Sequence, residues 1–312
     1  MTGWQWAVNL QRSFDQTIRP GCRHSESDLP FGCRGLFHRR ERGMFRAVSD
    51  TEPTSYRAVI AYDGRDYFGW QRLAEKETVQ GTLEKAITAA FGEETPVQGA
   101  GRTDRGANAE GQVAGFRLIQ AREVAEIRES LNRCLPDSIR VLDVQVVPKE
   151  FHARMSAIGK EYTYMIWNNP ELPEELTHHV WHVPERLSFE AMEAALPELV
   201  GRHDFASFGT KTRFAQKSTV RELFSATIER DDSMIRFGFH GDSFLNHMVR
   251  NMVRAVVKVG EGKYEPAKIA EILKAGKRSA SPGSAPASGL CLMQVFYPED
   301  SETGPVGDPF VA

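Results

Sequence analysis

Residues 56–297 carry two successive sets of hydrophobic periodicity, each in the order strand, helix, strand, strand, helix, strand. A period-2 run buries a face only as a strand and a period-3.6 run only as a helix, so this order confines the chain to a sheet layered with helices. In the first set, residues 56–62 (YRAVIAY) predict a strand ending at the turn signal Asp63-Gly64. Val79, Leu83, Ile87 and Phe91 recur every four residues and predict a helix over 79–91. Short strands are expected at 96–101 and 112–118, a helix over roughly 121–133, and a strand over 139–147 in which Leu142, Val144 and Val146 alternate. The second set predicts a strand at 161–168, a helix at 188–200 kinked by Pro197, and strands at 220–230 and 234–240 around Arg230-Asp231-Asp232-Ser233. A helix over 244–259 follows, then a helix from Pro266 to Gly276 and a final strand at 290–297.

Two split β-α-β units in tandem make an α+β chain, with two ferredoxin-like (βαββαβ) halves sharing an extended antiparallel sheet. The halves are expected at 51–150 and 151–298, with a tail at 299–312. Residues 1–50 stand apart. They mix Trp4, Trp6, Arg and Gly without periodicity and include Asp15, Glu26 and Asp28, acids that organelle transit peptides avoid. A disordered leader and a start assigned too early, with Met44 as the true beginning, both fit this stretch.

No apolar run approaches the ~18 residues of a membrane-spanning helix. Formal charge is −3, made of +3 over residues 1–43 and −6 over the remainder. A nucleic-acid partner therefore requires the cations to gather on one face. The four cysteines, Cys22, Cys33, Cys134 and Cys291, are too few for a disulfide-held domain. Cys22, His24, Cys33 and His38 match none of the common zinc spacings, so no metal is expected.

The densest chemistry is Gly99-Ala100-Gly101-Arg102-Thr103-Asp104-Arg105-Gly106. A dinucleotide fingerprint would need glycine at Asp104, and a phosphate loop would need Lys-Ser/Thr where Ala107-Asn108 stands. What remains is a glycine-flanked loop presenting one carboxylate between two guanidinium groups, which favour its ionised form. The same loop also reads as an Asx-turn with surface arginines. Arg250, Arg254 and Lys258 are four apart and form one basic stripe on their helix; a solvated face and a carboxylate- or phosphate-binding face both fit. Phe151-His152-Ala153-Arg154, just before the strand with Tyr162 and Tyr164, places aromatics beside cations, a combination suited to unpaired bases. His152 and Arg154 are thus candidate substrate-binding residues, although strand tyrosines also simply pack.

Together these features resemble the TruA family of tRNA pseudouridine synthases over about residues 56–298. The blocks are YDGRDYFGWQ (62–71), AGRTDRG (100–106), EFHARMSA (150–157), KEYTY (160–164), DFASF (204–208), VRELF (220–224), HMVRNMV (247–253) and SGLCLMQVFYP (288–298). The resemblance implies that Asp104 is the catalytic aspartate, that Arg102 helps displace the target base, that Tyr162 lies beneath the uracil, and that Arg250 pairs with Asp104 from the other half. It implies an isomerase acting on uridine in the tRNA anticodon stem-loop (positions 38–40), without metal or organic cofactor, working as a homodimer. It also implies a cytoplasmic location, or an organellar one in a eukaryote. A synthase acting on another RNA, or a non-catalytic RNA-binding protein of the same fold, are the alternatives. One position departs from the family: where Gly-Val-His-Ala is common, this chain has Gly106-Ala107-Asn108-Ala109, which puts fine tuning or substrate choice in question.

Overall fold

The computed structural model describes residues 52–210 and 218–298; the expected leader and tail, and the Cys/His cluster at 22–38, lie outside the described residues. The first half runs β1 (Thr54–Tyr62), α1 (Val79–Phe91), β2 (Gln98–Gly99), β3 (Asn108–Leu118), α2 (Val124–Cys134) and β4 (Ile139–Val147). The second runs β5 (Gly159–Trp167), β6 (Trp181–His182), α3 (Phe189–Ala195), β7 (Gly201–Asp204), β8 (Val220–Asp231), β9 (Met234–Gly241), α4 (Met248–Gly260), α5 (Lys268–Ala275) and β10 (Leu290–Phe296).

All ten strands join one sheet, whose main path is β4-β1-β3-β10-β5-β9-β8-β7, with β2 added to β3 and β6 to β5. Numbered within each periodic set, β4-β1-β3-β2 and β10-β5-β9-β8 both follow the order fourth, first, third, second. The same strand order thus occurs twice. The sheet is mostly antiparallel, as expected; apart from β6, which lies parallel to β5, the exception is where the two sets meet. There β3 and β10 pair in parallel through Cys291↔Asn108 and Leu292↔Ala109.

The outer edge of β3 is shared: β10 takes its beginning, and β2 takes Ala114 and Gly115 further along. Beyond the two paired residues, β10 bulges between Leu292 and Gln294. The carbonyl of the bulged Met293 turns into β3, where a Cβ on Gly111 would lie 2.1 Å from its oxygen. Only glycine leaves room for that approach.

Helices cover one face of the sheet. Tyr56, Ala58 and Ile60 of β1 are buried, as are Leu83 and Ile87 of α1 and Ile127 and Leu131 of α2. In the second half, Ile235, Phe237 and Phe239 of β9 and Met252, Val253 and Val256 of α4 are buried in the same continuous core. The predicted extent of α1 is met because both ends are signalled locally. Thr78 caps the start by accepting from Gly81 N, and Gly92 closes the end at φ 70°. Three expectations change. Helix 188–200 splits at Pro197 into α3 and a 3₁₀ turn over Leu196–Leu199. Strand 96–101 shrinks to Gln98–Gly99, and helix 244–259 starts only at Met248. β6 and β7 were not expected; at two and four residues they are too short for a periodic signal. No helix among the described residues is long and apolar enough to cross a membrane.

Gly111→Ala is expected to lower the unfolding free energy by about 3 kcal/mol, the upper end of overpacking costs, because its methyl meets backbone that cannot swing away. Urea denaturation with an unchanged slope and a lowered midpoint is the check.

Candidate active site

The loop between β2 and β3 is held in place by buried polar groups. Gln112 on β3, fully buried, donates its amide to the Gly101 carbonyl at 2.9 Å and accepts from Gly101 N at 3.3 Å. The Thr103 hydroxyl bonds to that of Tyr62 at 2.8 Å, and the Thr103 carbonyl accepts from Trp70 N at 3.2 Å. Ala107 N closes the turn onto the Asp104 carbonyl at 3.1 Å, while Gly106, at φ 79°, takes a backbone conformation that costs other residues. The loop's shape is therefore fixed by its neighbours before any substrate arrives.

This shape presents Asp104 to the second half of the fold. Arg250 Nη1 donates to Asp104 Oδ2 at 2.5 Å, bridging residues 146 apart in sequence. The guanidinium is anchored in turn, since Arg250 Nε donates to the Ala285 carbonyl at 2.7 Å. The other carboxylate oxygen, Oδ1, lies 3.3 Å from His247 Nε2. His247 directly precedes α4 at φ 61°, a left-handed conformation unusual for a residue with a side chain, and its Nδ1 lies 3.1 Å from the Thr210 hydroxyl. Asp104 and Arg250 keep only 19% and 16% of their side-chain surface in solvent. Burial pushes the Asp104 carboxyl upward, but the hydrogen bonds and charges of His247 and Arg250 outweigh it and hold the group below the ordinary carboxylate range. It is ionised at neutral pH.

Tyr162 of β5 completes the centre. Its ring is buried and meets Phe244 edge-on at 5.0 Å, and its hydroxyl would lie 3.5 Å from a Cβ on Gly101. Burial, with the nearby Tyr62 and Asp104, raises its pKa far above neutrality. The phenol stays protonated, which suits a platform or hydrogen-bond donor rather than a general base.

The sequence pattern described as tRNA pseudouridine synthase matches residues 58–155 and 195–298. The chain belongs to that family. Proteins named tRNA pseudouridine synthase A are similar along nearly their whole length. That of Methylacidiphilum infernorum is 39% identical over 248 residues, covering 80% of this chain and 97% of the relative. That of Syntrophotalea carbinolica is 41% identical over 249 residues (80% and 98%), and that of Maridesulfovibrio salexigens 42% over 245 residues (77% and 89%). As a member of the pseudouridine synthase family, the chain is an isomerase.

The remaining candidate residues stand further out. Arg102 projects from the same loop and is exposed. His152 accepts from the backbone N–H groups of Arg154 and Met155 at 3.2 and 3.4 Å, so its ring mainly closes its own turn. Arg154 is exposed. Among the described residues no hydrogen bond or ion pair joins Arg102, His152 or Arg154 to Asp104. Asn108, the departure from the common pattern, accepts from Gly64 N at 2.9 Å and donates to the Ser288 carbonyl at 3.4 Å. It ties the start of β3 to both sets of strands.

Sequence reasoning missed His247 and Lys160. The signal for His247 was its place immediately before the apolar-basic run of α4. That for Lys160 was its alternation with Tyr162 and Tyr164, which puts a lysine on a buried strand face. Lys160 is 7% exposed and lies beside the loop, its Cε 3.6 Å from where a Cβ on Gly101 would stand. Burial, reinforced by Arg154 and Arg221 and opposed by Asp242, lowers its ammonium pKa to about 8.

That shift has a measurable sign. Below pH ~8 both folded and unfolded chains carry the proton and the folded state bears the full desolvation cost; between about 8 and 10.5 only the unfolded chain retains it, so stability rises with pH. Lys160→Met is expected to be more stable than the natural chain by about 2–3 kcal/mol at pH 7, with the difference vanishing towards pH 10.5. Paired denaturant titrations across this range provide the check.

Proposed function

We propose that the chain isomerises uridine to pseudouridine in tRNA, with Asp104 promoting cleavage of the N1–C1′ bond. The observation that carries this reading is the ionised, partly buried Asp104 carboxylate clamped between Arg250 and His247 next to the Tyr162 ring. The target uridine must first leave its stack, at a cost of roughly a few kcal/mol, less in a loop than in a duplex. Arg102, exposed on the loop beside Asp104, is placed to help displace it, and the protonated Tyr162 to lie under the uracil. The N1–C1′ bond breaks with its electron pair passing to N1, through attack by Asp104 at C1′ or through a glycal-type intermediate that Asp104 stabilises. The freed uracil turns in place and C5 bonds to C1′. On the direct route the Asp104–C1′ bond breaks and its electron pair returns to the carboxylate; on the glycal route the C1′–C2′ double bond is consumed and the proton lost from C2′ is returned. The C5 proton then leaves and N1 gains one. Nothing is oxidised or reduced, so the atoms balance without a co-reactant.

The resemblance in the sequence extends the proposal to the anticodon stem-loop, to a homodimer that docks tRNA across both subunits, to cofactor-free chemistry, and to the cytoplasm or an organelle. It also supports functional halves meeting near residue 150, with His152 and Arg154 contributing to RNA binding. The exposed apolar side chains of Met155, Ile158 and Phe224 are compatible with a surface covered in an assembly.

Asp104→Asn is expected to keep RNA affinity within about threefold and to abolish isomerisation. The measurement is chemical mapping of pseudouridine in tRNA incubated with each protein; normal turnover by the variant removes Asp104 from the reaction, and modification of rRNA alone redirects the substrate. His247 is a positioning residue in this reading. His247→Ala is expected to lower kcat about 10- to 100-fold with KM nearly unchanged, whereas His247→Gln, which retains a donor, recovers much of the loss. Single-turnover kinetics separate the two.

A further inference from the structure

Among the thirteen residues of α4, only Arg250, Arg254 and Lys258 are not fully buried. Arg250 serves the Asp104 centre. The other two line a separate pocket of about 450 Å³, together with Trp181, Arg186, Glu261 and Lys263. Lys258 and Lys263 both bond Glu261 at 2.6 Å and form a self-contained triad. Arg254 behaves differently. It forms no ion pair among the described residues, and its guanidinium lies 5.0 Å from the centre of the Trp181 indole.

That indole is itself fixed. It meets the Tyr164 ring edge-on at 6.3 Å, and the Tyr164 hydroxyl donates to the Pro286 carbonyl at 2.8 Å. A guanidinium attracted to an aromatic ring keeps N–H donors for another partner, and their fork matches two oxygens of a phosphate. Arg254 also follows Arg250 by one helical turn, about 6 Å along the axis, and both guanidinium groups influence Tyr164. The pocket therefore lies next to the Asp104 centre along a single helix face.

We propose that Arg254, preorganised on Trp181, is a phosphate clamp that grips the RNA backbone beside the everted uridine. A contact of this kind positions the strand and reads no base. The inference rests on the proposed uridine-isomerase function and specifies how the RNA would be held next to that site.

The test uses the full chain and a fluorescent synthetic anticodon stem-loop RNA, with affinity measured across a series of salt concentrations. Losing one phosphate contact reduces the slope of log K against log salt by about 1. Arg254→Ala and Arg254→Gln are expected to weaken binding about tenfold and to show that smaller slope. Arg254→Lys and Trp181→Ala keep the charge and are expected to weaken binding several-fold with the slope preserved. Circular dichroism establishes which variants fold. The clamp is overturned if the folded charge-removing variants keep the natural slope, because Arg254 then only packs on Trp181. Pseudouridine formation by the natural chain on the same RNA separates the two ideas. A reduced slope without isomerisation sinks the isomerase reading alone, and isomerisation with an unchanged slope sinks the clamp alone.

Discussion

The rest of the site is arranged around an ion pair that neither half of the fold can make alone. Asp104 sits on a loop of the first periodic set and Arg250 on a helix of the second, and their 2.5 Å contact requires the sheet to run unbroken between them. Removing two charges from water costs several kcal/mol per ion, and a good geometry returns about that much, so such a pair adds little net stability. Deleting one partner is a different matter, since it strands the other charge at a cost of about 3–5 kcal/mol. The pair therefore matters for orientation and for the ionisation state of the carboxylate. Both depend on how firmly the loop and the helix are held.

The loop depends on groups distant from it in sequence. Gln112, Tyr62 and Trp70 come from β3, β1 and the segment after β1, and each fixes a different point of residues 101–103. On the other side, α4 is buried on every face except its basic stripe, so Arg250 cannot shift without disturbing Met252, Val253 and Val256. A left-handed His247 at the head of that helix is consistent with a backbone strained for the sake of where its ring lands, a cost of order 1–3 kcal/mol borne by the surrounding packing.

Elements signalled by neighbouring residues were legible in the sequence. α1 and β4 fall on the predicted residues, α1 because its caps are Thr78 and Gly92. The alternation expected in β4 at Leu142, Val144 and Val146 holds only at Val144, because the pairing with β1 shifts register and the buried positions become Ile139, Val141 and Val144. Elements that exist only through long-range contact were not. β2 is cut short where the chain turns into the held loop, and β6 exists only as two residues laid along the end of β5. The site divides similarly. Asp104, Arg250 and Tyr162 carry distinctive local motifs and come together as expected. Gln112 and Lys160 are ordinary in sequence and become significant through the strand register that turns them toward Gly101.

Asn108 illustrates how one substitution can change a joint without loosening it. Its amide links the Gly64 N–H to the Ser288 carbonyl across the line where the two strand sets meet. An imidazole in that place would gain a proton as the medium acidifies and would then cease to accept from Gly64. A carboxamide does not titrate in the physiological range. This one link between the halves is thereby insulated from acidity, and a response of the seam to pH falls instead to neighbours such as Glu110 of β3, where burial pushes the carboxyl pKa up to about 7.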